Sequence, residues 1–384
     1  MQPALTHISF INFRSYKNFN LNDIGKITIF TGENGVGKTN ILDGIYFLTR
    51  GKSFRPGQLK DSITFKENKT ILSSDISYNE RFFTINIILD FISDEDNEEM
   101  ILTPVKKRIL INGKPKKQEK LVEILPSVLF SPDDIEIIKS GNSIRRNSFD
   151  DIGILLSKNY RRALSDYKKA IEYKNKLLKS DFLDRIILES LNETISKIGA
   201  IVLIQRYRLV KNIEQKMISI YEKLSGGKEQ LKIKYDIDVY NLVDKDINDE
   251  LIVEKQIKQK LEAYIDEEIH RKRALIGPHT DKINFYLNGK EANLFGSQGQ
   301  QRSIVLSLKI SEVYLIKEIF NILPILLLDD VGSELDMFRK KSLIDIIEED
   351  MQTFITTTQI ENLPDNILEK ATIYDTESFI SSEA

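Results

Sequence analysis

Cysteine is absent from the 384 residues, which excludes disulfides and any zinc site built on thiolates. Histidine is scarce. His7, His270 and His279 are the only three, and their spacing makes no metal-binding cluster. No run of about 18 uncharged apolar residues occurs, so no membrane-spanning helix is expected. The first residues, MQPALTHISF, lack a basic stretch leading into an apolar core and do not read as a secretory signal. The expectation is a soluble, cytoplasmic protein. A positive balance is missing too, since the formal net charge is −3 with 29% charged residues. Nucleic-acid binding would therefore need local concentrations of Lys and Arg, because phosphate contacts depend on where the cations sit.

The length admits two or three domains, and the 41% hydrophobic content is ordinary for a globular chain. Residues 8–13 alternate like a strand, and residues 27–30 form a short buried one. The segment that follows, GENGVGKTN, runs from Gly32 through Glu33, Asn34, Gly35, Val36, Gly37, Lys38 and Thr39 to Asn40. Residues 40–48 then show helical apolar spacing. A glycine-rich loop between a strand and a helix is the setting of a phosphate-binding loop. The glycines let the backbone curl so that its N–H groups face the phosphates, helped by the positive end of the helix. Lys38 is the candidate for the β- and γ-phosphates, and the Thr39 hydroxyl for Mg²⁺. A chance glycine turn is the competing reading, and the strand–loop–helix setting argues against it.

A second motif, ILLLDD, puts Asp329 and Asp330 at the end of the buried strand 325–328. A doubly wound sheet carries its ligand chemistry at that end. Asp329 suits the Mg²⁺ sphere, and Asp330 suits orienting or deprotonating an attacking water. By itself the segment also fits a strand ending in a polar turn. A third motif, FGSQGQQR, holds Ser297, Gly299 and Gln300 at the start of a helix. Ser297 caps that helix, Gly299 allows close backbone approach, and the segment offers a second phosphate contact.

Residues 70–78, 82–91 and 108–111 read as a β meander, with Asn112-Gly113 and Asn288-Gly289 as hairpin turns. From about 133 to 223 the period becomes helical, with a boundary near Gly226-Gly227. That block is too short and broken for a long coiled-coil arm. Residues 232–240 alternate as a strand, and 247–274 read as helix.

The three motifs, in this order, resemble the heads of ABC-type ATPases. The resemblance implies an α/β fold: an ABC-type P-loop ATPase head with an inserted β meander and a helical lobe. The expected division is a head of residues 1–132 and 229–384 and a helical lobe of 133–228. In such heads the signature segment of one subunit covers the nucleotide held by the other. Residues 331–336 resemble the loop that crosses that interface. Threonines 356–358 stand where many such ATPases carry a switch histidine, so Thr357 becomes a nucleotide contact through its hydroxyl. Further segments narrow the resemblance: NFRSY at 12–16, GKSFR at 51–55, VLFSPDD at 128–134, IGPH at 276–279 and the paired Asp329-Asp330. Together they resemble the RecF recombination-mediator family from about residue 5 to 375. Thr280, Lys282, Asn147 and Ser148 depart from that family's pattern.

This resemblance implies an ATP- and Mg²⁺-dependent homodimer that clamps double-stranded DNA at gap junctions and hydrolyses ATP slowly. It also implies RecR-type and RecO-type partners, support of RecA loading, and a place on the nucleoid. Arg14 and Arg55 are implied near the nucleotide; both also fit plain surface arginines. Two basic clusters agree with a DNA role. Lys106, Lys107, Lys116 and Lys117 crowd a hairpin. Arg161, Arg162, Lys168 and Lys169 lie on the first long helix, with Tyr160, Tyr167 and Tyr173 interleaved. The same helix fits a solvated charged face equally well. The acidic stretches 94–99 and 348–350 are expected to face away from DNA. The competing function is the nucleotide-binding subunit of a membrane transporter, against which stand the long interval between Lys38 and Asp329 and the missing switch histidine.

Overall fold

A computed structural model describes residues 2–92, 105–330, 337–345, 347 and 350–379. The chain forms two compact units, Met1–Asp134 with Glu312–Ala384, and Ile135–Ser311.

The first unit holds two sheets. A five-stranded sheet runs Ala371–Asp375, Ile27–Thr31, Thr353–Thr357, Ile325–Leu328, Ser127–Phe130, with every described neighbour pair parallel. Apart from the edge strand Ala371–Asp375, its strands are buried without alternation, because a parallel sheet is covered on both faces. Ile325 to Leu328 are all buried. The register sets Thr357 beside Thr31 and Ile355 beside Leu328. The loop after Thr31 and the carboxylates after Leu328 thus leave the same, carboxyl edge of the sheet. This is the edge at which such sheets bind ligands.

The second sheet of this unit is antiparallel, in the order Tyr16–Leu21, Ala4–Phe13, Lys69–Tyr78, Arg81–Phe91, Val105–Ile111, Lys114–Pro115. Alternating Ile85, Ile87 and Leu89 are buried, as a sheet with one covered face requires. Asn112 and Gly113, at φ 50° and 72°, close a two-residue hairpin that only such residues adopt readily. Helix α1 (Lys38–Arg50) joins the two sheets through Ile41, Leu42, Ile45, Phe47 and Leu48, which share one core with Phe10, Leu72, Leu327 and Phe354. Gly44 makes this fit possible: a Cβ there would stand 2.3 Å from the Phe10 ring.

The second unit contains α2 (Asn142–Leu156), α3 (Lys158–Leu178) and α4 (Arg185–Ser225). A three-stranded antiparallel sheet, Lys290–Glu291, Ile283–Leu287, Leu231–Tyr235, belongs to it as well. The expected lobe boundary at residue 228 therefore differs from the observed extent of this unit, which runs on to Ser311. Gly226, at φ 65°, caps α4, so the glycine pair ends a helix without ending a domain. Glu214 of α4 accepts the Ile233 N–H at 2.7 Å, and Arg206 of α4 donates to the Pro278 carbonyl at 2.6 Å. These bonds fasten the 231–281 segment to α4. Residues 232–240 contribute a strand only to Tyr235; Asp238–Tyr240 is a short 3-10 turn.

Candidate nucleotide site

The loop after Thr31 is shaped by Gly32, Gly35 and Gly37, at φ 144°, 90° and 95°. These values strain any residue with a Cβ. Gly37 has a second reason to be glycine, since a Cβ there would stand 2.8 Å from the Tyr16 hydroxyl. Lys38 opens α1 and folds back over the loop, where its Nζ donates to the Gly32 and Glu33 carbonyls at 2.7 and 2.6 Å. Burial pulls the Lys38 ammonium below its ordinary pKa, while the charges of Asp330 and Asp329 act in the opposite sense. The ammonium thus rests on the loop carbonyls and feels the charge of both carboxylates.

Asp329 and Asp330 emerge from the neighbouring strand end. The Thr39 hydroxyl donates to Asp329 Oδ1 at 3.0 Å, and the Thr356 hydroxyl donates to the same oxygen at 2.8 Å. The backbone N–H of Asp330 donates to Thr356 Oγ1 at 3.0 Å. Asp330 itself sits at φ 46°, a left-handed conformation that is costly for a residue other than glycine and is concentrated at functional sites. Burial raises the Asp329 pKa, against the hydroxyls of Thr356 and Thr39; Asp330 adds to the rise and Arg55 opposes it. A buried carboxylate beside a second carboxylate, a hydroxyl and a lysine is a site for a hard cation and phosphate oxygens.

Thr357 is engaged locally. Its hydroxyl donates to the Gln359 carbonyl at 3.0 Å and accepts the Gln359 N–H, closing a local turn. Thr356 faces the carboxylates instead. Strand alternation sends adjacent side chains to opposite faces, so only one of two neighbouring threonines could reach Asp329.

Arg14 is also taken up locally. Its Nε donates to Asp43 Oδ2 at 3.0 Å, its Nη1 to the Asp61 carbonyl at 2.8 Å and its Nη2 to Ser53 Oγ at 2.9 Å. Asp43 is fully buried on α1 and further accepts Ser53 Oγ and the Phe54 N–H. The NFRSY and GKSFR segments are therefore locked together by one carboxylate. Arg55, by contrast, is exposed and reaches Asn40 Oδ1 at 2.6 Å, while Asn40 Nδ2 donates to Ser15 Oγ at 2.9 Å. Arg55 and Asn40 thus line the rim of the loop. Residues 331–336 lie outside the described residues.

In the second unit, Ser297 precedes helix α5 (Gln298–Phe320). Its hydroxyl accepts the Gln300 N–H at 3.3 Å, and Gln300 Oε1 accepts the Ser297 N–H at 2.7 Å. This reciprocal pair is a capping box. Gly299 lies in the first turn of α5, where its carbonyl accepts the Ser303 hydroxyl.

The basic clusters divide. Lys106, Lys116 and Lys117 are exposed, as are Arg162, Lys168 and Lys169. Lys107 is tied down locally. Its ammonium is half-buried and donates to the Gly51 carbonyl at 2.7 Å and Gln118 Oε1 at 2.8 Å, and burial lowers its pKa. Arg161 likewise turns inward, with Nε and Nη2 on the Ile154 carbonyl at 3.1 and 2.6 Å. Tyr160 and Tyr167 are buried and belong to the core; only Tyr173 of the three is exposed. The Tyr167 hydroxyl bonds His279 Nδ1 at 2.8 Å, and burial lowers the His279 pKa to about 4. The acidic residues 94–99, 348 and 349 lie outside the described residues. None of the described helices is long and apolar enough to cross a membrane.

Comparison with known proteins agrees with this geometry. The family described as RecF/RecN/SMC N terminal domain matches residues 4–378. A DNA replication and repair protein RecF of Clostridioides difficile (strain 630) is 34% identical, covering 93% of this chain and 92% of that protein. Its counterpart in Lactobacillus acidophilus is 33% identical, with 97% of each chain covered. Among solved structures, the recombination mediator protein RecF-ATPrS in the RecFOR pathway superposes with a TM-score of 0.83 at 28% identity, covering 94% of both chains. RecF-ATP of the same pathway gives 0.81 at 29%. An SMC head bound to the C-terminal winged-helix domain of ScpA shares the fold at 0.51 and 16% identity. The fold is thus that of an ABC-type ATPase head of the RecF and SMC kind, and the chain belongs to the RecF family of DNA replication and repair proteins.

Proposed function

We propose that this chain binds ATP on the 32–40 loop, dimerises through it, and clamps duplex DNA during recombinational gap repair. The observation that carries the reading is the convergence of Lys38, Thr39, Thr356 and the Asp329-Asp330 pair at one sheet edge. The solved relatives RecF-ATP and RecF-ATPrS support ATP as the nucleotide. The pathway named with those structures, RecFOR, supports RecO- and RecR-type partners, and support of RecA loading is part of the same proposal.

Lys38 exchanges the loop carbonyls for the β- and γ-phosphate oxygens, and the loop N–H groups hold the rest of the triphosphate. Thr39 and Asp329 offer an oxygen-only donor set that fits Mg²⁺ and would hold it, where it neutralises phosphate charge. Asp330 orients the attacking water and draws a proton from it. Ser297 and Gly299 of one copy complete the phosphate site of the other, so ATP binding and dimerisation are one event. Hydrolysis, slow and stimulated by DNA, then releases the dimer. Lys106, Lys116, Lys117, Arg162, Lys168 and Lys169 contact DNA phosphates, and such contacts carry affinity without sequence preference.

The test is single-turnover hydrolysis by Asp330→Asn, with dimer mass followed in parallel. Loss of hydrolysis with an ATP dimer that persists on duplex DNA is the expected outcome. An Asp330→Asn protein that hydrolyses ATP at the wild-type rate would sink the assignment.

A further inference from the structure

Gln300 does two jobs at once. Its side-chain oxygen accepts the Ser297 N–H at 2.7 Å, and its side-chain nitrogen donates to Glu229 Oε1 at 2.6 Å. The other carboxylate oxygen of Glu229 accepts the hydroxyl of Tyr221, a buried residue in the last turns of α4. Glu229 follows the Gly226-Gly227 break, where both glycines have positive φ, 65° and 73°. The carboxylate is thus delivered by a turn, anchored at its back by α4, and engaged at its front by the segment that carries Ser297. All of these residues lie in the second unit.

The cap of α5 does not by itself require Glu229. The Ser297–Gln300 exchange pairs the N–H groups of both residues at the helix start. An amide side chain, however, presents its oxygen and nitrogen in either sense, and its rotamer is soft at the last torsion. A carboxylate offers only acceptors, so it accepts the Gln300 amide by its nitrogen and leaves the oxygen to face Ser297. Hydrogen bonds to an ionised acceptor are also roughly twice as strong as neutral ones. Glu229 therefore sets which end of the Gln300 amide points at the Ser297 N–H, and so holds the backbone of the residue whose exposed hydroxyl caps the helix.

We infer that Glu229 is the positioning residue of the signature segment: through Gln300 it holds Ser297 ready for the nucleotide of a second copy, and through Tyr221 it ties that readiness to α4. The inference rests on the sandwich proposed above. It assigns Glu229 no contact with ATP, so its removal acts on association and leaves nucleotide affinity of the lone subunit alone.

The experiment uses the full chain as wild type, Glu229→Ala, Glu229→Gln and Ser297→Arg. A fluorescent ATP analogue is titrated at protein concentrations where the chain is monomeric, and light scattering with ATP·Mg²⁺ gives the dimer constant. Glu229→Ala should keep the monomer's affinity within about twofold and weaken dimerisation roughly tenfold, the value of one good hydrogen bond. Glu229→Gln keeps the size of the side chain but offers a donor beside its one acceptor and carries no charge, so it no longer dictates the sense of the Gln300 amide and should recover only a small part of that loss. Three outcomes overturn the inference. If Glu229→Ala dimerises at the wild-type constant while Ser297→Arg fails to dimerise, the sandwich stands without the relay. Equal loss of monomer affinity and melting temperature in Glu229→Ala means a structural carboxylate only. If wild type itself does not dimerise with ATP, the sandwich falls and takes the inference with it.

Discussion

Thr356 Oγ1 donates to Asp329 Oδ1 at 2.8 Å and accepts the backbone N–H of Asp330 at 3.0 Å. One hydroxyl on a buried strand thereby fixes both members of the carboxylate pair, the first by its side chain and the second by its backbone. Asp330 needs that support, because its left-handed backbone stores strain that the surroundings must hold.

Thr356→Val keeps the shape of the side chain and removes the hydroxyl. The Asp330 N–H then loses its acceptor, at a cost of about 1–3 kcal/mol in stability. The hydrolysis rate should fall at least tenfold, with ATP affinity changed less than threefold, and Thr356→Ser should restore the rate. Thr357→Val, which breaks only a local turn, should affect hydrolysis far less. Quenched-flow hydrolysis and equilibrium nucleotide titration on the same preparations separate the two effects. Identical behaviour of the two valine variants would remove Thr356 from the site.

The phosphate loop and the carboxylate pair were legible in the sequence because their information is local. GENGVGKTN needs glycines at set positions, and ILLLDD shows a buried strand ending in acid. Which threonine of 356–358 faces Asp329 was not legible, since strand parity and register with residues 27–31 decide it. Lys107 and Arg161 look no different from Lys106 and Arg162 until Gly51, Gln118 and Ile154 are placed beside them. Tyr160, Leu164, Tyr167 and Ile171 follow a helical stripe, and that spacing belongs to core packing more than to stacking on DNA. The expected boundary at residue 228 and the extent of the second compact unit differ, because Gly226 announces the end of a helix, while the bonds of Glu214 and Arg206 fasten the next strand to that helix.

Arg14 and Asp43 form a part-buried pair at 3.0 Å, with the carboxylate wholly shielded from water. Arg14→Ala strands that charge, and breaking a buried pair from one side costs about 3–5 kcal/mol. A drop of this size in urea-unfolding free energy is expected. A variant as stable as wild type would show that Arg14 is held for the nucleotide and not for the fold.

His279 gives stability a pH dependence. Its folded pKa, about 4, lies below the unfolded 6.5, so the unfolded chain binds the extra proton between these values. Stability contributed by the neutral imidazole is complete above pH 6.5 and is lost as pH falls toward 4, by up to roughly 3 kcal/mol. His279→Gln should flatten that slope in chemical denaturation series from pH 7 to about pH 4.5. An unchanged slope would assign the acid sensitivity to other groups.

The exposed cations on α3 should act as phosphate contacts and the turned-in ones should not. Replacing Arg162, Lys168 and Lys169 together by Gln should weaken duplex binding and lower the slope of log K against log salt by about 0.9 for each phosphate no longer neutralised. Lys107→Gln should leave that slope unchanged and lower the melting temperature instead. Fluorescence anisotropy across a salt series reads the slope, and thermal unfolding reads the stability. A larger fall in slope from Lys107→Gln than from the triple variant would reverse the assignment.

The central claim is that ATP makes the dimer that holds DNA. Light scattering of the wild-type chain with and without ATP·Mg²⁺, then with duplex DNA added, tests it most directly. The account predicts a monomer alone, a dimer with ATP, and a dimer retained on duplex, with Lys38→Arg remaining monomeric throughout. A mass that ATP leaves unchanged, with or without DNA, would contradict it.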